Sequence, residues 1–192
     1  MSALTILIIR HAEKPGENWP GPGLTEDGQK DKESLVIRGW QRVGAWAALF
    51  GAGLGGSQYP APQVIYAAKP YASDGLADGP SRRPAETIWA LAPRLGLMPI
   101  ESIAKGEEQR LIQQVLERSG VVLISWEHKA IISDILPRIP VTKEVQLPTH
   151  WPGQRYDVVL RLDRAENETE FSFRQLFPKL LSEDSDKPLG AA

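Results

Sequence analysis

The 192-residue chain contains no cysteine. That excludes disulfides, thiolate nucleophiles and cysteine-based zinc or iron–sulfur sites, and it is compatible with a reducing compartment. Histidine is scarce, with three residues in all. Neither sign of charge dominates: 22 Lys and Arg face 24 Asp and Glu, giving a formal charge of −2. Acid and base are interspersed, so composition makes no case for nucleic acid or an anionic membrane as partner. Long apolar runs are missing too. The N-terminal run, Leu4 to Ile9, has no basic segment before it and meets charge at Arg10. It reads as neither a signal peptide nor a membrane span, and the expected location is the cytoplasm. Asn167-Glu168-Thr169 matches the glycosylation pattern, but without an export signal it is read as chance.

What is present fits a soluble globular protein of one domain, residues 1–181. From Ser182 onward, over 182–192, the chain is polar and without periodicity, which predicts a disordered tail. Three largely apolar runs stand out: Leu4 to Ile9, Gln63 to Ala68 and Val121 to Trp126. Runs of that length, rich in Ile and Val, read as strands covered on both faces. Between them lie helical patterns. Val36, Trp40, Val43, Ala47 and Phe50 mark one apolar face, while Ala85, Ile88, Ala92 and Leu95 mark a second that Pro93 should kink or end early. Leu111/Val115 with Ile112/Leu116, and then Ile131 to Leu136, mark two more. A further strand is expected near Met98 to Ile103, and later ones at Val158 to Leu162 and Phe171 to Leu176. Alternating strands and helices predict a three-layer α/β/α sandwich with a mostly parallel central sheet.

One string is a decoy. Gly51-Ala52-Gly53-Leu54-Gly55-Gly56 has the GxGxxG spacing, but it follows a helix and precedes a strand, the reverse of a dinucleotide fingerprint. It reads as a helix end and loop. Two longer loops, Lys14 to Glu33 and Lys69 to Pro80, are candidates for covering or shaping a site.

The strand ends carry a consistent chemistry. Arg10 and His11 follow the first run, Arg82 and Arg83 open the helix after the second, and His128 follows the third. Parallel strands bring such ends to one edge, where open α/β sheets bind ligands. Forked guanidinium donors at a helix start match phosphoryl oxygens, and an imidazole beside them is a plausible nucleophile. The neighbouring arginines would repel a metal cation, so no metal is expected.

These residues carry a resemblance. Arg10-His11-Ala12 resembles the Arg-His-Gly signature of the histidine phosphatase superfamily, the phosphoglycerate mutase-like group, with Ala in place of Gly. Leu24-Thr25-Glu26-Asp27-Gly28 resembles its Leu-Thr-x-x-Gly stretch. Arg83-Pro84-Ala85-Glu86-Thr87 resembles its Arg-Ala-x-Gln-Thr segment, and Ile124 to His128 resembles the strand that delivers its second histidine. The match runs over about residues 4 to 137.

The resemblance implies a phosphoglycerate mutase-like fold and a cofactor-independent phosphatase. His11 would become phosphohistidine, with Arg10, Arg83 and His128 holding the phosphoryl oxygens. It also implies a carboxylic acid about two dozen residues past the second arginine, which falls on Glu107, with Glu108 behind it and Glu13 and Glu127 as rivals. The family's serine before the second arginine has no clear match, with Ser73 and Ser81 as substitutes. Trp19 and Trp126 are expected to line the pocket. Trp40, Trp46 and Trp89 should pack in the core, and His150 reads as structural or rim. The implied substrate is a small phosphorylated metabolite or a phosphoprotein, hydrolysed as a phosphate monoester or phosphohistidine. A mutase-like phosphoryl transferase and a phospho-ligand binding module are the alternatives.

Overall fold

The computed structural model describes residues 1–16, 18–70 and 81–190. The 71–80 part of the second long loop, with Ser73 and its Asp-Gly turns, therefore lies outside the described residues.

The three apolar runs form strands β1 (Leu4–Arg10), β2 (Val64–Ala67) and β3 (Gly120–Trp126); β4 (Val159–Arg164) and β5 (Ser172–Leu176) follow. They make one sheet in the order β2-β3-β1-β4-β5. Both β1 and β2 pair parallel with β3, whereas β4 runs antiparallel to β1 and β5 antiparallel to β4. The most apolar strand is thus central. Side chains alternate across it: Ile6 and Ile8 join one core, Leu7 and Ile9 the other. Full burial of each such side chain is worth about 1.5–3 kcal/mol.

Helices cover both faces. On one side lie α1 (Ile37–Gly51), α2 (Arg83–Thr87) and α3 (Leu91–Arg94), contributing Trp46, Ala47, Phe50, Ile88, Leu91 and Ala92. On the other lie α4 (Glu108–Leu116), with Leu111, Ile112 and Val115, and a helical segment begun by α5 (His128–Ala130). That segment widens to a π turn over Ile131–Ile135 and tightens to a 3-10 turn over Leu136–Arg138. Pro137, which has no N–H to donate back, sits in the tightened turn.

The break expected from Pro93 falls earlier than Pro93 itself. Its ring clashes with the carbonyl four residues back, Trp89, and the chain turns over 88–90 between α2 and α3. The glycine-rich string ends α1 and continues as a loop containing a short 3-10 turn, Gly56–Gln58. The strand expected near Met98 to Ile103 is reduced to one bridge, Tyr66 to Ile100, beside β2.

Two other expectations are corrected. Trp89 is 54% exposed and stands edge-on to Trp40 instead of entering the core. The segment 182–190, read as a disordered tail, docks on the body. Asp184 pairs with Arg42 at 2.7 Å, the amide of Ser185 donates to Asp157, and Leu189 is buried. Among the described residues no helix is long and apolar enough to cross a membrane.

Candidate active site

Register builds the site. In the parallel pair, Ile9 lies opposite Ser125 and Arg10 opposite Trp126, so β1 and β3 end level. The His11 amide extends the ladder to the Trp126 carbonyl at 3.0 Å, which sets His11 beside Glu127 and His128. Ala67 pairs with Ser125, so Ala68 and Lys69 leave β2 at the same edge. A cavity of about 400 Å³ opens there, lined by His11, Arg83 and His128 together with Lys14, Glu33, Ser81, Glu127 and the lysines at 69, 105 and 129.

His11 is buried. Its Nδ1 lies 2.8 Å from its neighbour's carbonyl, Ala12 O. A carbonyl only accepts, so Nδ1 carries the proton and Nε2 keeps the lone pair. Burial, followed by the Arg10 charge, holds the His11 pKa well below the ordinary imidazole range. The ring is therefore neutral and nucleophilic at pH 7. Ala12 is fully buried and is not among the residues with positive φ, so the turn accepts Ala where the resembled signature has Gly. Its amide donates to Thr87 Oγ1 at 2.8 Å, and Thr87 donates in turn to the Arg83 carbonyl at 2.6 Å. This chain of bonds fixes the His11 turn to the helix that carries Arg83. Gly39 allows the closest approach of α1 to the same turn: a Cβ there would stand 2.6 Å from Glu13 O.

Arg83 opens α2, with Pro84 in the first turn. Its Nη2 donates to the Lys32 carbonyl at 2.7 Å and lies 3.4 Å from Glu33 Oε2. Arg82 points elsewhere and pairs with Glu26 and Glu86. His128 Nδ1 lies 2.8 Å from Glu127 Oε1, a close approach without the alignment of a hydrogen bond. Glu127 also caps α5 by accepting from the Lys129 and Ala130 amides at 3.0 Å. Burial works against its charge, but His128 and these amides hold its pKa far below the carboxylate range. Burial lowers the His128 pKa, Glu127 opposes this, and Arg10 adds to it.

Arg10 behaves differently from the expectation. It does not line the cavity. Its Nη1 donates to the carbonyls of Gly153 at 2.8 Å, Arg155 at 2.9 Å and Pro152 at 3.3 Å. Its guanidinium carbon sits 3.8 Å over the Tyr156 ring. Burial pulls its pKa down to about 10. Nε is buried and has no hydrogen-bond partner.

The carboxylates expected to carry a proton are spread through the fold. Glu107 stands off the cavity, accepting from the Ala104 amide and pairing with Arg110. Glu108 is buried and accepts from Trp126 Nε1 at 2.9 Å. Glu13 is buried in an ion pair with Arg42, 2.8 Å away. Glu33, missed by sequence reasoning, lines the cavity with Glu127. Neither tryptophan lines it: Trp126 is fully buried, and Trp19 lies under Arg38 at 4.7 Å. An aromatic next to a catalytic pair in sequence need not share its pocket, because strand residues alternate faces. His150 is exposed and lines a neighbouring cavity that also touches His128, which makes it a rim residue. Among its described residues, the Lys14 to Glu33 loop reaches the cavity at its two ends. Its middle folds on itself at a turn where the Gly28 amide donates to Thr25 O with φ of 83° at Gly28.

No protein-family model and no curated protein matches the chain. Among solved structures it is similar to the protein histidine phosphatase SixA complexed with tungstate, at 12% identity and a TM-score of 0.52, over 91% of this chain and 97% of that one. It is also similar to a mycobacterial glucosyl-3-phosphoglycerate phosphatase, at 14% identity and a TM-score of 0.49, over 89% and 97% of the two chains. The first of these likenesses carries the fold assignment: the chain has the phosphoglycerate mutase-like fold.

Proposed function

We propose that the chain is a phosphatase that hydrolyses a phosphate monoester or a phosphohistidine through a phosphohistidine intermediate on His11. The observation that carries this reading is the state of His11 itself. It is a buried imidazole with its Nδ1 proton committed to Ala12 O, on a cavity shared with Arg83 and His128. That leaves Nε2 as a pre-aimed nucleophile among cations, which suits attack on a phosphoryl group. The likeness to a protein histidine phosphatase supports the same reading.

In the first step the Nε2 lone pair forms the N–P bond as the bond from phosphorus to the leaving group breaks. Arg83 and His128 hold the equatorial oxygens as their charge grows. Arg10 acts from behind the cavity. Its charge adds to burial in keeping both histidines neutral. Glu33 is the cavity carboxylate best placed to carry the leaving-group proton, since among the described residues its one side-chain contact is a 3.4 Å pair with Arg83, whereas Glu127 holds both α5 cap amides and stands against His128. In the second step the Glu33 carboxylate takes a proton from water as that water attacks phosphorus, the N–P bond breaks with its electron pair returning to Nε2, and the protonated Glu33 is restored.

The test is hydrolysis of an aryl phosphate by the wild-type protein and by His11→Ala, with and without chelator. The reading predicts wild-type turnover insensitive to chelator and loss of at least about 1,000-fold in the variant. Equal turnover in both proteins contradicts it.

A further inference from the structure

A cavity of about 550 Å³ opens at the end of the sheet opposite the active site, where β1 and β3 begin. Leu4 lies opposite Gly120 in β3 and opposite Arg164 in β4, so the starts of β1 and β3 meet the end of β4 there. The seven residues of β1 separate this cavity from His11 by roughly 20 Å. A small molecule bound in it cannot touch a phosphoryl group on His11.

Arg164, on the wall of this cavity, is a buried charge without a counter-charge. It is 7% exposed, yet among the described residues it has no carboxylate partner. Its Nη2 donates to the Ser2 carbonyl at 3.3 Å, its buried Nε has no partner, and its guanidinium carbon stands 5.0 Å over the Phe171 ring. Asp163, next to it in sequence, is already committed: it accepts from Thr5 at 2.8 Å and pairs with Arg161 and Arg174. A buried guanidinium is costly unless an anion compensates it. Two acids that line the same cavity are uncommitted. Glu168 and Glu170 lie in the loop between β4 and β5, both are exposed, and among the described residues neither side chain makes an ion pair or a hydrogen bond.

A cation alone would leave Arg164 uncompensated, and an anion alone would meet the field of Glu168 and Glu170. A zwitterion satisfies both signs. We propose that this cavity binds an α-amino acid, with its carboxylate on Arg164 and its ammonium on Glu168 and Glu170. The forked guanidinium matches the two oxygens of a carboxylate. Leu4, Val121 and Ala165 add apolar wall for the amino acid's side chain, and the volume is ordinary for a small-molecule site. No group of the active site takes part, so the proposal stands apart from the phosphatase reading.

The experiment is an NMR titration of the intact, nitrogen-15-labelled protein at low salt with leucine, 4-methylpentanoate and 3-methylbutylamine. The last two are leucine without its ammonium and without its carboxylate. Leucine should bind about five-fold or more tightly than either, moving the amides of 3–5, 120–121 and 163–172. Glu168→Gln with Glu170→Gln should bring leucine down to the affinity of 4-methylpentanoate. Arg164→Met should abolish leucine binding, and its thermal melt without ligand should match or exceed the wild type, because an unpartnered buried charge is gone. Both glutamates are exposed, so the double variant should stay folded and reads the proposal even if Arg164→Met does not fold. No saturable shift with leucine, equal affinity for the three compounds, shifts confined to the active-site edge, or leucine affinity unchanged in the double variant overturns the proposal.

Discussion

His128 Nδ1 and Glu127 Oε1 stand 2.8 Å apart, one residue from each other on the rim of the cavity. Burial and the Arg10 charge drive the imidazole toward its neutral form, and Glu127 opposes both. Removing that carboxylate should therefore lower the His128 pKa further. Glu127→Gln removes the charge and keeps one oxygen, so it retains one of the two capping amide bonds that the carboxylate accepts on separate oxygens. Ring-labelled histidine followed by NMR should show His11 and His128 titrating below the ordinary value of about 6.5, with His128 lower still in the variant. An unchanged or raised value would contradict the pairing.

The same histidines set a sign for stability. Their folded pKa values lie below the unfolded one, so the unfolded chain binds more protons just under pH 6.5. Their contribution is complete above about pH 6.5 and is lost as the pH falls toward the folded values.

Glu33 and Glu107 should separate by leaving group. A carboxylic acid matters most when the departing oxygen is a poor leaving group. Glu33→Gln is expected to slow hydrolysis of an alkyl phosphate by about 100-fold and an activated aryl phosphate much less. Glu107→Gln, which stands off the cavity beside Arg110, should change neither by more than about two-fold. Steady-state kinetics on the two ester classes decides the matter, and a larger effect at Glu107 would reverse the assignment.

Arg42 is fully buried between Glu13 and Asp184 at 2.8 and 2.7 Å. Burial disfavours its charge, yet the two carboxylates raise its pKa above the ordinary range. Arg42→Ala takes the paired guanidinium from Asp184 and leaves Glu13 the 3.7 Å contact with Arg38, and it should cost about 3–5 kcal/mol in urea denaturation. Burial works against the Asp184 charge as well, but Arg42 holds its pKa down. The pair's stabilisation is therefore present above about pH 3.9 and is lost as the pH falls through the folded value. Asp184→Asn should be less stable at neutral pH and lose less on acidification below about pH 4. Midpoints that match the wild type at both pH values would contradict this.

The strands and the edge they share were legible because three short apolar runs rich in Ile and Val suit strands covered on both faces, and parallel strands present their carboxyl ends together. His11, Arg83 and His128 follow directly from that. Arg10 was placed correctly in the chain, but its guanidinium is claimed by carbonyls more than 140 residues away, a contact no local pattern encodes. The docking of 182–190 has the same cause, since its anchors at Arg42 and Asp157 are remote in sequence. Glu107 stands off the cavity because its carboxylate turns back onto the Ala104 amide in the loop before α4 and pairs with Arg110. Glu33 carried one usable signal: it closes the long loop just before α1, where that loop returns to the strand ends.

The central claim is a covalent bond between phosphorus and His11. The direct measurement is to mix the protein with an activated aryl phosphate, quench in alkali, where phosphohistidine survives, and map the added phosphoryl mass by peptide mass spectrometry. The account predicts a phosphoryl group on the peptide containing His11, absent from His11→Ala and discharged by water on a longer incubation. A phosphoryl group on another residue, or steady hydrolysis by His11→Ala at the wild-type rate, would contradict it.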